Sequence, residues 1–194
     1  MSPATRPALV TWQRKRRTVN VTIYSDADGI FVAWSDHRFT PAPAEHTGWT
    51  GPWHHVTIPG SFPGYWSEDV VEAMNRIAAH PDVTVKWLTA WEEGAPEQLA
   101  PVIGLDGAGW EMIQGVEDDD PANGNWWKLA KIRDYVARNR PDKLVWMDDD
   151  INFDPASLAW LKSLDIPVLV ICPKTAHGLT RDHMAEIEAF IGKQ

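Results

Sequence analysis

Cysteine and long apolar runs are the two features that this chain most clearly lacks. Its 194 residues include a single cysteine, Cys172, so an internal disulfide cannot form. This usage is typical of proteins from a reducing compartment. No apolar stretch approaches the ~20 residues that span a bilayer, and residues 1–6 are too polar for the core of a signal peptide. We therefore expect a cytoplasmic protein, with Cys172 buried at the end of a strand.

Positive charge is also scarce. The chain has 18 lysines and arginines against 27 aspartates and glutamates, which gives a net charge of -9. A general nucleic-acid or anionic-membrane coat protein needs a positive surface, so this balance argues against both classes. The basic run at residues 14–17 is the local exception. We interpret it as a solvated segment before the first strand, with a phosphate or RNA contact as the alternative.

Tryptophan, in contrast, is abundant, with 12 residues against 5 phenylalanines and 3 tyrosines. Five tryptophans fall inside predicted strands or helices, where a large aromatic side chain usually belongs to the core: Trp87, Trp91, Trp127, Trp146 and Trp160. Four more lie in a stretch rich in proline, glycine and histidine at residues 34–66, for which we predict little regular structure.

Strand and helix signals alternate along the rest of the chain. Short apolar runs without polar alternation predict central parallel strands at 19–25, 83–89, 143–147 and 167–172. Helices are predicted at 67–79, capped by Ser67, at 126–139, capped by Asn125, after Asp154-Pro155, and after Thr180. The pattern predicts an α/β fold, a doubly wound and mostly parallel sheet with helices on both faces. An extension at residues 1–18 precedes this single domain at 19–194.

Two insertions, at about residues 30–66 and 92–124, follow predicted strands at the edge where open α/β sheets place their ligands. The first contains His54-His55, but no second ligand pair at a recognisable spacing, so we do not expect a zinc site. The second contains a short helix near 97–103 and an acidic patch at 117–120. Turn-forming neighbours make that patch a solvated loop rather than a metal site.

Charged or hydroxyl side chains lie at the ends of several of the predicted strands. Asp26 and Asp28 end the first, Thr89 ends the second, and Asp148-Asp149-Asp150 follow the third. Asp-x-Asp-Gly alone is often only a turn, and Thr89 alone is an ordinary residue at a strand end. Three acids directly after an apolar strand are harder to explain without a cation. Because parallel strands end at one edge, we expect all of these groups to converge there.

A lysine completes this set. Lys128 falls in the first turn of a predicted helix, where the helix dipole disfavours a cation. Its position therefore indicates an electrostatic partner outside the helix. Lys131, one turn later, is the competitor for the same role, and is equally well explained as a solvated lysine.

The ordered combination resembles the four motifs of the haloacid dehalogenase (HAD) superfamily. Segment 87–92 and Gly178-Leu179-Thr180 also resemble a small bacterial and phage branch of HAD domains associated with RNA repair. The resemblance implies a HAD-like Rossmannoid fold with a small or absent cap. It also implies a phosphatase that hydrolyses phosphomonoesters through an aspartyl-phosphate.

The resemblance assigns catalytic roles that are physically reasonable. Asp26 would be the nucleophile. Asp28 would protonate the leaving group and later deprotonate water, which requires a raised pKa. Thr89 would bind a phosphoryl oxygen, and Lys128 would neutralise the nucleophile and the transferring group.

The cofactor implied is Mg²⁺, which prefers oxygen ligands. Asp26, the backbone carbonyl of Asp28 and Asp148 would bind it, with Asp149 as a ligand or a support. The sequence does not decide between Asp149 and Asp150 for that supporting position.

The expected substrate is the terminal phosphate of a nucleotide or nucleic acid, because a small cap leaves an open crevice and exposed aromatic residues stack on bases. A small phosphorylated metabolite is the first alternative, and a non-catalytic HAD-like module that binds a protein is the second. No membrane partner is expected, and the sequence names no protein partner.

Overall fold

Five parallel strands form the main sheet in the computed structural model of the protein, which describes residues 19–34, 44–58, 63–115 and 126–192. Their bounds are β1 (Val21–Ser25), β4 (Val83–Trp87), β5 (Glu111–Met112), β6 (Lys143–Met147) and β7 (Val168–Ile171). In the sheet they lie in the order β5-β4-β1-β6-β7. The predicted parallel α/β sheet is confirmed, with β1 at its centre.

Helices cover both faces of this sheet. Their bounds are α2 (Glu68–Ala78), α3 (Ala100–Ile103), α4 (Trp127–Asn139), α5 (Pro155–Lys162) and α6 (Arg181–Gly192). Side chains of β1 alternate between two cores: Ile23 belongs to the core that includes α2 and α6, and Tyr24 to the core that includes α4 and α5. Burial on both faces explains why the strands show no polar alternation.

Two of the predicted helix caps form as expected. The Asp154 carboxylate accepts a hydrogen bond from the Ser157 backbone N–H at 2.9 Å, and the Thr180 hydroxyl accepts one from His183 N–H at 3.2 Å. Ser67 occupies the cap position of α2, but its side chain makes no capping bond. Ser67 is also the last residue of a strand that continues directly into α2. The predicted cap Asn125 lies outside the described residues.

The stretch at 34–66 is more ordered than predicted. Its described part contains α1 (Ala44–Thr47) and an antiparallel hairpin of β2 (Trp53–Val56) and β3 (Gly64–Ser67). Aromatic and β-branched side chains favour strands and stabilise them by pairing across the hairpin. Ring stacking of His54 on Trp66, with centroids 4.8 Å apart, is such a pair. Proline and glycine content concealed this signal.

The hairpin is joined to the turn that follows β1. Ala33 and Tyr65 exchange two backbone hydrogen bonds, of 2.8 and 2.9 Å. The side chain of Trp49 is buried, and its indole N–H donates to the Leu179 carbonyl at 2.8 Å. The described part of this insertion therefore packs on the domain.

The second insertion and the last strand also differ from expectation. The short helix begins as a π-helix at Ala95–Leu99 and continues as α3, and the unpredicted strand β5 follows it. Strand β7 was predicted to be central but lies at the edge of the sheet, which explains its partial burial. Cys172 follows β7 and is only half-buried. Residues 14–17 and 117–120 lie outside the described part of the chain.

No helix in the described ranges is long and apolar enough to cross a bilayer.

Candidate functional site

The register of the sheet brings three strand ends to one edge. Ser25, the last residue of β1, lies opposite Trp87 of β4 and Met147 of β6. The polar residues that follow these strands are consequently neighbours. Asp26 N–H, for example, donates to the Met147 carbonyl at 2.9 Å.

Three buried carboxylates, here called the carboxylate cluster, lie at the centre of this edge. Asp26, Asp148 and Asp149 each offer an oxygen atom, and these atoms lie within 4.8 Å of one another. Their exposed fractions are only 7%, 0% and 8%. Asp148 also accepts a hydrogen bond from Asp150 N–H at 3.0 Å, whereas the Asp150 residue itself is exposed. Asp149 rather than Asp150 therefore belongs to the carboxylate cluster.

Lys128 supplies the opposite charge at the same place. The residue is 5% exposed, and its ammonium group donates to Asp26 Oδ2 and, at 2.7 Å, to Asp148 Oδ2. Burial alone would lower the pKa of Lys128, but the two carboxylates raise it above its ordinary value. The lysine therefore stays charged. The Lys131 side chain lies against Gly115.

Burial acts in the opposite direction on the carboxylates. It raises the pKa of Asp148, and Lys128 opposes this rise while Asp26 adds to it. Burial also raises the pKa of Asp149, against a hydrogen bond from Thr175. Three acids lie here with one ammonium group, which contacts only Asp26 and Asp148. A further cation would therefore stabilise the ionised forms of the acids.

Asp28 lies beside the carboxylate cluster but has different hydrogen-bond partners. Its Oδ1 accepts the indole N–H of Trp34 at 3.1 Å, and its Oδ2 accepts that of Trp91 at 2.6 Å. Burial raises the pKa of Asp28 to about 6, with contributions from the Asp26 and Asp149 charges and opposition from the two indoles. This value suits an acid that must both give and take a proton near neutral pH.

Trp91 was predicted to be a core residue, and its ring does pack against the core, but it also reaches the site. It lies in the turn after β4, is half-buried, and contacts the carboxylate of Asp28. Its backbone N–H donates to the hydroxyl of Thr89 at 3.3 Å. Thr89 is fully buried at the same sheet edge, where the sequence placed it.

Gly29 lets the two strand ends approach closely. Its φ is +62°, a left-handed conformation that glycine adopts without strain. A Cβ atom at Gly29 would lie 2.2 Å from Cγ of Asp149. The glycine of the Asp-x-Asp-Gly motif is therefore needed for both its backbone and its lack of a side chain.

Thr175 is a further residue of the site that the sequence did not reveal. Its hydroxyl donates to Asp149 Oδ2 at 2.5 Å, and its carbonyl accepts the backbone N–H of Trp34 at 2.9 Å. Thr175 thereby connects the carboxylate cluster to Trp34, one of the two tryptophans that contact Asp28. The available signal was its position shortly after β7, since loops at this edge of the sheet are expected to contribute to the site.

Replacement of Gly29 by alanine should distort the carboxylate cluster. The left-handed backbone alone costs roughly 1–2 kcal/mol, or about 2–8 °C in melting temperature for a chain of this size, and the contact with Asp149 adds to it. Gly104→Ala is the matched control because Gly104 has a φ of +76° and open space around its Cβ position. Thermal melts in which both variants lose the same amount would contradict the close approach.

The pair His54-His55, at which we expected no zinc site, lies in strand β2 of the hairpin. His54 Nε2 lies 2.6 Å from Glu68 Oε1, and the ring of His55 contacts that of Tyr65. Within the described ranges, Asp26, Asp148 and Asp149 are the group of at least three potential metal ligands that lie together.

Comparison with known proteins identifies the family. The profile described as "HAD domain in Swiss Army Knife RNA repair proteins" matches residues 22–184, which include every site residue named above. The chain belongs to this family. The resemblance inferred from its motifs is thereby confirmed. Neither a search of curated proteins nor a search of solved structures returned a significant match.

Proposed function

We propose that this HAD domain is a Mg²⁺-dependent phosphatase that hydrolyses phosphomonoesters through an aspartyl-phosphate. The observation that carries the proposal is the buried Lys128 between Asp26 and Asp148, with Asp149 beside them. A fold gains little from several buried acids around one ammonium group, because desolvation of the charges costs free energy. Phosphoryl transfer, in contrast, needs both a nucleophilic carboxylate and fixed positive charge.

The proposed reaction has two steps. In the first, an oxygen of Asp26 bonds to phosphorus, the bond from phosphorus to the ester oxygen breaks, and Asp28 gives its proton to that leaving oxygen. In the second, ionised Asp28 takes a proton from water, the water oxygen bonds to phosphorus, and Asp26 is released with inorganic phosphate. Lys128 stabilises the charge on the transferring group throughout.

The donor set fits a magnesium ion. Asp26, Asp148 and Asp149 provide oxygen ligands, and their excess negative charge is otherwise balanced only in part by Lys128. The backbone carbonyl of Asp28 remains a proposed fourth ligand. A bound Mg²⁺ would supply charge neutralisation for the phosphoryl oxygens.

The preferred substrate is the terminal phosphate of a nucleotide or nucleic acid. The family's description as a domain of RNA repair proteins supports it, as do the half-buried rings of Trp34 and Trp91 next to Asp28, since aromatic rings stack on bases. The net charge of -9 opposes it, so a small phosphorylated metabolite is the second candidate. A non-catalytic binding module would leave the paired Asp26 and Asp28 without a use.

Hydrolysis of p-nitrophenyl phosphate with and without Mg²⁺ tests the reaction class. The same assay with oligonucleotides that carry a 5′- or 3′-phosphate, and with small phosphate esters, tests the substrate class. We expect Mg²⁺-dependent release of phosphate and the highest kcat/KM on a nucleotide end. Failure to hydrolyse any ester in the presence of Mg²⁺ would support the binding-module alternative.

Magnesium should also raise the melting temperature, because it binds the carboxylate cluster of the folded protein and not the unfolded chain. At 100 times the Kd the stabilisation is about 2.7 kcal/mol, or roughly 5–10 °C. Asp148→Ala should remove most of this shift, whereas Asp165→Ala, at an exposed loop position, should retain it. An unchanged melting curve of the parent protein in millimolar Mg²⁺ would contradict the metal site.

A further inference from the structure

Asp28 is held by two tryptophans that come from different parts of the chain. Trp34 follows it by six residues and Trp91 by 63, and each donates its indole N–H to a different carboxylate oxygen. One donor on each oxygen fixes both the direction of the side chain and the plane of the carboxylate. A single hydrogen bond would leave rotation about its axis.

The backbones of both tryptophans are fixed as well. Trp34 N–H donates to the Thr175 carbonyl at 2.9 Å, and Trp91 N–H donates to the Thr89 hydroxyl at 3.3 Å. Both rings also pack against the hydrophobic core formed with α2 and α6. The positions of the two indole donors are therefore set by the fold.

A purely structural explanation is that partly buried indoles need an acceptor. Two other tryptophans of this chain show how that need is ordinarily met. Trp49 donates to the Leu179 carbonyl and Trp87 to the Gly107 carbonyl, both of them backbone groups. Trp34 and Trp91 instead converge on one ionisable side chain at the proposed reaction centre. This convergence is not required for packing.

We propose that Trp34 and Trp91 are positioning residues that aim the Asp28 carboxyl group at the leaving oxygen of the substrate. The inference rests on the proposed function and adds to it. In the first step Asp28 passes its proton to the ester oxygen as the bond from that oxygen to phosphorus breaks and the Asp26 bond forms. Without the indoles, the carboxyl group rotates away from this line.

The leaving group provides a specific test of this role. The p-nitrophenolate ion is stable and departs without a proton, whereas the alkoxide of an alkyl phosphate requires one. A misaligned acid therefore slows transfer from alkyl esters and has little effect on transfer from p-nitrophenyl phosphate. A general loss of folding or of metal binding slows both. The kcat/KM ratio is the right quantity because it excludes the later hydrolysis of the aspartyl-phosphate.

The experiment compares kcat/KM for glycerol 2-phosphate and p-nitrophenyl phosphate, with saturating Mg²⁺, in the full chain. Trp91→Phe and Trp34→Phe keep an aromatic ring but remove the N–H donor. General acid catalysis contributes ~10²–10⁴-fold, so we expect each variant to lose roughly tenfold or more on glycerol 2-phosphate and less than about threefold on p-nitrophenyl phosphate. Asp28→Asn should show the same selectivity to a larger degree.

Trp160→Phe is the matched control. Trp160 is a half-buried tryptophan of α5 whose ring lies 5.8 Å from the guanidinium of Arg133. It should retain both activities. Equal losses on the two esters in both Trp34→Phe and Trp91→Phe would overturn the positioning role and leave the proposed phosphatase intact. A parent protein that hydrolyses neither these esters nor an oligonucleotide with a terminal phosphate would overturn the proposed function, and this inference with it.

Discussion

Asp26→Asn should reduce phosphatase turnover to the detection limit while the protein remains folded. The amide has the shape of the carboxylate but cannot attack phosphorus, and loss of a nucleophile that forms a covalent intermediate costs roughly 10⁴-fold or more. Asp148 still pairs with Lys128 in this variant, and one charge leaves a crowded acidic group. We therefore expect a melting temperature no more than a few degrees below that of the parent. Steady-state kinetics and thermal melts measure the two effects.

Asp165→Asn is the control, because it makes the same chemical change at an exposed loop position. The mass of the intact Asp26→Asn protein should be checked, since the amide must not have hydrolysed back to the acid. Turnover at the parental rate in a verified sample would show that another group attacks phosphorus. The nucleophile assignment would then be wrong.

Lys128→Met should have the second-largest effect, and it should act on both activity and stability. Loss of one preorganised charge contact is worth about 3 kcal/mol, or roughly a hundredfold in rate. Removing the partner of a buried ion pair typically destabilises a protein by about 3–5 kcal/mol, and here Asp26 and Asp148 would both lose their shared ammonium group. Added Mg²⁺ should therefore stabilise the variant more than the parent. Kinetics and melts at several Mg²⁺ concentrations test this.

Lys131→Met is the matched control on the same helix. Its side chain lies against Gly115, and Lys128 is the lysine that contacts Asp26 and Asp148. The activity of Lys131→Met should remain close to that of the parent. If Lys131→Met were inactive and Lys128→Met active, the lysine assignment would be reversed.

The strand ends could be predicted from the sequence because the parallel sheet imposes their meeting. Asp26, Thr89 and Asp148 each follow a short apolar run, and a common edge for three such runs is a property of the fold class. Lys128 could be chosen over Lys131 because the helix start places it in the first turn. These inferences needed only periodicity, caps and the direction of the chain.

The support around Asp28 and Asp149 could not be predicted in this way. The bonds of Trp91 to Asp28 and of Thr175 to Asp149 join residues 63 and 26 positions apart. They depend on the paths of two irregular turns, which no periodic pattern encodes. The hairpin was missed for a different reason: the weight given to proline and glycine exceeded that of the aromatic pairs that stabilise it, such as His54 with Trp66.

The turn after Asp28 is anchored on two sides, by the Ala33 pairing with Tyr65 of the hairpin and by the bond from Trp34 to Thr175. The entropy lost in ordering this turn is therefore spent when the chain folds rather than when substrate binds. Under the proposed function, a substrate would then meet an acid that needs little reorganisation, which would lower the barrier to proton transfer. Substitutions that loosen the hairpin should consequently slow the reaction without touching the substrate.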